Sequence, residues 1–169
     1  MKTTTTLALV LATGLALSAC SKKAPKALPP EPGNTVSTVA PAVNQGPVPG
    51  SQADFVAQMM GQDTIYFDTD KFNIDSTDQT ALAAQASWLA KYPTKRVSLE
   101  GHCDERGTRE YNLALGERRA NAAKNSLVAL GVDPSRITTV SYGKERPVAL
   151  GSDEASWAKN RRAVTVTVD

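Results

Sequence analysis

The prolines of this chain are concentrated in one short stretch, and this limits where a folded core can form. Seven of the ten prolines lie between residues 21 and 51, together with three glycines and no aromatic residue. Such a composition cannot bury enough apolar surface to offset the entropy lost on ordering, so we predict a disordered tether over residues 20–52. Residues 53–169 remain for a folded domain, which is enough chain for a single hydrophobic core.

The segment before the tether has the order of a secretory signal. Lys2 is followed by an apolar run from Leu7 to Leu17, too short to span a bilayer as a helix, and then by small residues. Residues 17–20, LSAC, resemble a bacterial lipobox, in which cleavage falls just before the cysteine. The resemblance implies a signal peptide over residues 1–19 and acyl and diacylglycerol modification of Cys20, with no other cofactor. Ser21 at the next position favours the outer membrane. The alternative is an ordinary signal peptide with a chance cysteine.

Charge and cysteine content exclude some functions of the domain. The net charge of +2 is small, and no basic stripe interleaved with aromatic residues is present, so we do not expect a nucleic-acid partner. If Cys20 carries lipid, Cys103 has no partner for an intramolecular disulfide. An unpaired thiol in an oxidising periplasm needs burial or a function.

Strand and helix patterns alternate along the domain. Short stretches rich in β-branched and aromatic residues predict strands, and apolar residues spaced three and four apart predict helices. The predicted strands cover 63–67, 95–102, 136–143 and 162–168, and the predicted helices cover 77–91, 110–130 and 152–160. This β-α-β-α-β-α-β order predicts an α/β fold, a two-layer sandwich in which helices pack on one face of a small four-stranded mixed sheet.

Capping residues suggest where these helices begin and end. Ser76 with Gln79 forms a predicted capping box, Ser152 is the predicted N-cap of the last helix, and Gly131 suits the end of the second helix. The predicted core face of the second helix comprises positions 113, 116, 120, 123, 127 and 130.

The stretch EGHCDERGTREYN, residues 100–112, places the only histidine beside Cys103 and raises the question of a catalytic or metal site. Side chains alternate along a strand, so Cys103 shares a face with Val97 and Leu99 while His102 points the opposite way. A buried thiol has a raised pKa and little reactivity. One histidine and one buried cysteine also do not form a zinc site. We therefore predict neither an enzyme nor a metal protein.

The remaining signal is a charge pattern after the second strand. Asp104 follows that strand, and Asn112, Leu115 and Arg119 form one stripe on the next helix. Asp68 and Asp70, after the first strand, are expected at the same rim. An Asp and an Arg held close together can bind the ammonium and carboxylate of a free amino-acid end. They can equally form an ordinary ion pair that fixes the loop, and spacing alone leaves both interpretations open.

Residues 112–127 carry a resemblance to a known family. Their pattern, Asn112-x-x-Leu115-Gly116-x-x-Arg119-Ala120-x-x-Ala123-x-x-x-Leu127, resembles the peptidoglycan-binding motif of OmpA-like C-terminal domains. The stretches IYFDTDK, EGHCDERGTREYN, SYGKERP and WAKNRRAV extend the likeness over residues 62–169. Gly116 stands where Ser is usual, and Ala123 where a larger aliphatic residue is usual.

The resemblance implies a function and a set of site residues. It implies non-covalent binding of the diaminopimelate of peptidoglycan stem peptides, with Asp104 and Arg119 as the principal ligand residues. The other residues that it implies at the site are Phe67, Asp68, Thr108, Asn112 and Leu115. It also implies docking to the propeller protein TolB, by a lipid-anchored outer-membrane protein whose domain faces the periplasm. The alternatives are the wall-binding domain of a stator or transport complex and a wall hydrolase, for which a nucleophile or metal is missing.

Overall fold

The computed structural model describes residues 46–168, in which four helices and four strands follow one another. The predicted signal peptide, Cys20 and most of the predicted tether lie outside these residues. The helices are α1 Gln52–Met59, α2 Ser76–Lys91, α3 Arg109–Ala129 and α4 Glu154–Asn160, with a 3₁₀ turn at Pro134–Arg136. The strands are β1 Thr64–Tyr66, β2 Arg96–His102, β3 Ile137–Gly143 and β4 Arg162–Val168.

The four strands form one mixed sheet in the order β1-β4-β2-β3. The last strand of the chain lies inside the sheet and pairs antiparallel with both β1 and β2, whereas β2 and β3 are parallel. The parallel pair is connected through α3, which packs against both of its strands. The predicted α/β sandwich with a four-stranded mixed sheet is therefore confirmed.

Helix α1 was not predicted, and it contributes to the core. It begins at Gln52, one residue before the predicted start of the domain, and the Ser51 hydroxyl accepts a hydrogen bond from the Asp54 amide as its N-cap. Phe55 is fully buried edge-on against Trp88 of α2, with ring centroids 4.9 Å apart. The apolar core continues through Leu82, Leu89, Val97, Leu99 and Leu127.

Two predicted N-caps are shifted by one residue. The N-cap of α2 is Asp75, not Ser76, and the N-cap of α4 is Asp153, not Ser152. In both helices the aspartate carboxylate accepts a hydrogen bond at 2.8 Å from a first-turn amide that has no partner within the helix. The negative charge of the carboxylate is also favourable at the positive end of the helix dipole. The predicted end of α3 is confirmed, because Gly131 has a φ of 95° and the turn beyond it closes onto Leu127 and Val128.

The buried face of α3 is rotated from the predicted one towards polar positions. Leu113 is only partly buried and Leu130 is exposed, whereas Asn112, Leu115 and Arg119 are buried beside Gly116, Ala120, Ala123 and Leu127. The stripe that carries the candidate ligand residues is thus continuous with the core. Within residues 46–168 no helix is both long enough and apolar enough to cross a membrane.

Candidate functional site

A cavity of about 270 Å³ lies where β2 ends and α3 begins. The loop after β1, the loop after β2 and the first three turns of α3 all contribute to it. Its walls are Thr69, Asp70, Cys103, Asp104, Arg106, Gly107, Tyr111, Asn112, Leu115 and Arg119. The two charged residues predicted as principal ligands, Asp104 and Arg119, therefore share one cavity with Asn112 and Leu115.

Asp104 is an almost buried carboxylate held by two arginines. It is 7% exposed, Arg106 Nη2 lies 2.7 Å from its Oδ2, and Arg161 Nη1 lies 3.5 Å from the same oxygen. Burial acts to raise the pKa of Asp104, but the side-chain and backbone hydrogen bonds from Arg106 outweigh it and hold the pKa below its ordinary value. The carboxylate is thus negative at neutral pH.

Arg119 is fully buried, and backbone carbonyls fix its orientation. Its Nε donates to Lys71 O at 2.9 Å, Nη1 to His102 O at 2.8 Å and Nη2 to Asp68 O at 3.1 Å. Burial lowers the pKa of Arg119 from its usual high value. A guanidinium has five N–H groups, so backbone carbonyls bind three of the five in Arg119.

The simple Asp104–Arg119 ion pair, one of the two interpretations of the charge pattern, is not formed. Asp104 pairs with Arg106 and Arg161 instead, and Arg119 bonds the carbonyls of the loop after β1 and of β2. Arg119 does fix the loop after β1, but it does so by donating to backbone carbonyls of that loop. The two side chains lie at separate points of the same cavity, Asp104 as its anionic group and Arg119 as a cationic one.

Not all of the other predicted site residues line this cavity. Asn112 Nδ2 donates to Arg106 O at 2.6 Å and to Thr108 O at 3.0 Å, which fixes the loop after β2. Thr108 is the N-cap of α3 and is exposed. Phe67 lies under the Arg119 guanidinium, 5.1 Å from ring centroid to Cζ, and the exposed Asp68 side chain pairs with Lys71. Phe67 and Asp68 line a second cavity of about 360 Å³ instead.

Apart from Cys103, four lining residues were not predicted from the sequence, and two of them change the chemistry of the site. Arg106 contacts the Asp104 carboxylate directly, and the Tyr111 hydroxyl donates to Asp70 Oδ1 at 3.2 Å, so this aromatic ring closes one side. Thr69 and Gly107 complete the wall. Both Arg106 and Tyr111 lie in the stretch between Asp104 and Asn112, so their nearness in sequence to predicted site residues could have indicated that they line the same cavity.

Cys103 and His102 are separated as the strand alternation predicted. The Cys103 thiol is buried, donates to Asn112 O at 3.3 Å and has a pKa raised chiefly by burial, although the residue also contributes to the cavity floor. The His102 ring lies on the other face of the sheet, 5.5 Å from Tyr142. Burial, with Arg162 and Arg146 nearby, lowers the pKa of His102 to about 4. No Cys–His hydrogen bond links the two side chains among residues 46–168.

No metal site accompanies this arrangement in the part of the chain that the structure describes. No group of three or more His, Cys, Asp or Glu side chains there is placed to hold a metal ion. The cavity instead presents the carboxylates of Asp70 and Asp104, the guanidinium groups of Arg106 and Arg119 and the aromatic ring of Tyr111. These groups suit a ligand that carries an ammonium and a carboxylate a short distance apart.

Comparison with known proteins identifies the class to which this domain belongs. The sequence matches the OmpA family over residues 66–161, more than half of the chain. The chain belongs to the OmpA family, as its motif suggested.

Within this family the chain is similar to proteins named peptidoglycan-associated lipoprotein. The one from Rhizobium meliloti is 56% identical over 70% of this chain and 66% of its own length. The one from Agrobacterium fabrum is 47% identical over 90% of this chain and 81% of its own length. The crystal structure of the one from Burkholderia pseudomallei superposes on this chain with a TM-score of 0.61 at 48% identity. The superposition covers 62% of this chain and 89% of the chain in that crystal structure.

Proposed function

We propose that this protein binds peptidoglycan non-covalently, through the diaminopimelate of the stem peptide, and tethers the outer membrane to the cell wall. One observation carries the proposal: the buried Asp104 and Arg119 present opposite charges to a single cavity of about 270 Å³. The names of the relatives, peptidoglycan-associated lipoprotein, support the choice of ligand.

The free end of diaminopimelate carries an ammonium and a carboxylate on one carbon atom. In the proposed complex the ammonium binds Asp104, and the carboxylate accepts the remaining N–H groups of Arg119. Charge-assisted hydrogen bonds of this kind contribute roughly 1.5–3 kcal/mol each. Both protein groups are held in place before binding, Arg119 by three carbonyls and Asp104 partly by the buried Arg161, so little side-chain entropy is lost.

Binding rather than hydrolysis is the proposed activity. A hydrolase needs an activated nucleophile or a metal-bound water. The Cys103 thiol has a raised pKa and donates to a backbone carbonyl, while His102 lies on the opposite face of β2 with its pKa near 4. Neither group is poised to attack a peptide or glycosidic bond.

The proposed attachment to the outer membrane rests on the lipobox-like residues 17–20 and on the relatives' description as lipoproteins. Several acyl chains on Cys20 would give durable anchoring, since each buried CH₂ contributes roughly 0.8 kcal/mol. Proline-rich chain extends near 3.1 Å per residue, so a tether of about thirty residues reaches on the order of 90 Å. The folded domain can therefore contact the wall from an anchor in the membrane.

Replacement of the anchor cysteine tests this part of the proposal. Cys20→Ala should leave the domain folded and move the protein from the membrane pellet to the soluble periplasmic fraction, because no acyl chain can then be attached. The measurement is fractionation of cells after a high-salt wash, with Cys103→Ala as the control that should stay in the pellet. Cys20→Ala protein retained in the pellet would contradict the lipid anchor.

The family resemblance adds a partner to the proposal. Docking to TolB, in the Tol–Pal system that supports envelope integrity and cell division, is inferred from the resemblance of residues 62–169 alone. The exposed rim of the cavity, which includes Tyr111 and Arg106, is the surface to examine first. Co-purification of TolB with the wild type and its loss on substitution of Tyr111 would test this surface, and unaltered co-purification would contradict it.

Peptidoglycan binding itself is tested with purified sacculi. Asp104→Asn keeps the shape of the side chain but removes the charge that binds the ammonium, so affinity for sacculi should fall about tenfold or more. Glu145→Gln is the matched control, since it removes one carboxylate from an exposed pair with Arg109 outside the cavity. Thermal melting is measured beside the pull-down. An Asp104→Asn protein that melts normally and binds sacculi like the wild type would refute the proposed ligand contact.

A further inference from the structure

The Arg106 side chain is hydrogen-bonded to the Asp104 carboxylate, the group to which the ammonium of the proposed ligand would bind. Arg106 Nε donates to Asp104 Oδ1 at 3.1 Å, its backbone amide donates to the same oxygen at 3.1 Å, and its Nη2 donates to Oδ2 at 2.7 Å. Arg161 Nη1 lies 3.5 Å from Oδ2 as well. A carboxylate has about four acceptor positions. Arg106 fills three of them, and Arg161 Nη1 lies beside Oδ2 without a hydrogen bond. An incoming ammonium must therefore compete with Arg106 for this carboxylate.

Of the two arginines, only Arg106 can leave easily. The Arg161 side chain is 8% exposed, and its guanidinium is fixed by Phe67 O at 2.9 Å and by Glu154 Oε1 at 2.6 Å. The Arg106 side chain is 39% exposed. Ion pairs of such exposure contribute little net stability because water and salt compete for both charges. Arg106 is therefore the partner that can be released to water, although its contact with Asp104 is the shorter of the two.

The loop does not depend on the Arg106 guanidinium for its conformation. Its backbone is held by Asn112 Nδ2, which donates to the carbonyls of Arg106 and Thr108. Lys144 Nζ holds it from the other side, with donations to Glu105 O at 3.1 Å and Gly107 O at 2.7 Å. The guanidinium can consequently swing away from Asp104 while the cavity wall stays in place.

Arg106 also contacts an aromatic ring, and this contact does not depend on Asp104. Its guanidinium lies over the Trp157 ring at 4.2 Å from Cζ to the centroid, and the Trp157 indole is fixed by a hydrogen bond to Glu105 Oε1 at 3.0 Å. Contact with an aromatic face is favourable for an arginine, all the more where water is partly excluded. Arg106 can therefore keep its contact with Trp157 after it releases Asp104.

We propose that Arg106 is an internal competitor of the ligand: it pairs with Asp104 in the free protein, and the ligand's ammonium must displace it. This inference rests on the proposed function and deepens it, since it makes Arg106 a residue that sets affinity. The competition lowers affinity, which keeps the attachment to the wall reversible. It requires a cationic group on the ligand, because a neutral group offers Asp104 no charge in exchange for the guanidinium.

Removal of the competitor tests the inference by the direction of the change. Arg106→Gln in the full-length protein should bind a diaminopimelate-containing stem peptide on the order of threefold to tenfold more tightly than the wild type, the range expected for loss of a partly exposed pair. A peptide whose distal amine is acetylated has no ammonium to compete, so its weaker binding should be unchanged by the substitution. Titration calorimetry gives both affinities.

Arg109→Gln is the matched control, because it removes a positive charge three residues away that pairs with Glu145 and not with Asp104. It should bind like the wild type. Should Arg106→Gln melt early, Arg106→Lys provides the second variant, with a smaller tightening in the same direction. Displacement is also visible directly: the Arg106 Nε–H resonance of the wild type should shift on addition of the free-amine peptide and not of the acetylated one.

Each outcome has a distinct meaning. Weaker or unchanged binding of the free-amine peptide by Arg106→Gln would overturn the competition, while the wild-type affinity would still support the proposed function. Equal tightening for the acetylated peptide would also overturn it, because the effect would then not depend on the ammonium. No binding of either peptide by the wild type or by any Arg106 variant would overturn the proposed function together with the inference.

Discussion

Arg119 both fixes the fold and lines the cavity, and this affects how its substitution must be interpreted. The side chain is fully buried and satisfies carbonyls in the loop after β1 and in β2. Its removal leaves these buried acceptors unpaired, at roughly 1–3 kcal/mol for each group. A loss of binding in Arg119→Ala is therefore ambiguous without a melting curve. Asp104 and the choice of ligand give cleaner tests.

The sequence predicted Asp104 and Arg119 as charged residues of the candidate site but not the residues with which they pair. Asp104 and Arg119 followed from the end of a strand and a stripe on the next helix. Their actual partners depend on tertiary structure: Arg161 reaches Asp104 only because β4 pairs beside β2 and brings the end of α4 to the same edge. Arg106 lies two residues from Asp104, yet nothing in the spacing shows that its side chain folds back.

Two glycines determine how closely helix α3 approaches the sheet. A Cβ on Gly101 of β2 would overlap the carbonyl of Gly116, and a Cβ on Gly116 would overlap the Ser141 hydroxyl of β3. This close approach leaves no room for a side chain at Gly116. The contact places the start of α3, and hence Arg119, against the end of β2.

Substitution of Gly101 should consequently destabilise the domain. Gly101→Ala forces α3 away from β2, since the clash is with backbone that has no rotamer to adopt, and we expect a loss of roughly 1–3 kcal/mol in the free energy of unfolding. Urea denaturation measures it. Ser98→Ala, on the opposite face of the same strand, is the control and should change stability by less than about 0.5 kcal/mol. A Gly101→Ala protein as stable as the wild type would show that the helix does not need this close approach.

The elements themselves were predicted with unequal success, for physical reasons. Apolar periodicity gave the predicted strands and helices, because their buried faces repeat every two or every three to four residues. The N-terminal helix α1 was missed because it begins at the edge of the proline-rich stretch and buries only Phe55 and Met59. The core face of α3 was predicted by counting apolar residues, and that count could not include a buried arginine and asparagine.

At the scale of the whole molecule, the site exists only because the sheet brings distant segments together. The class of fold followed from the alternation of strands and helices, but the order β1-β4-β2-β3 did not, since the sequence does not state that the last strand lies between the first and the second. That order places the ends of β1 and β2 and the start of α3 around one cavity.

We propose that the cavity binds a zwitterion, with Asp104 at its ammonium and Arg119 at its carboxylate. A stem peptide in which lysine replaces diaminopimelate keeps the side-chain ammonium but lacks the distal carboxylate. The decisive measurement is the affinity of the wild-type protein for the two peptides, with Arg119→Ala measured beside it. Loss of the charge-assisted bonds to Arg119 should weaken the lysine peptide about tenfold or more in the wild type, and Arg119→Ala protein that remains folded should no longer discriminate. Equal affinity of the wild type for the two peptides would contradict recognition of the distal carboxylate by Arg119.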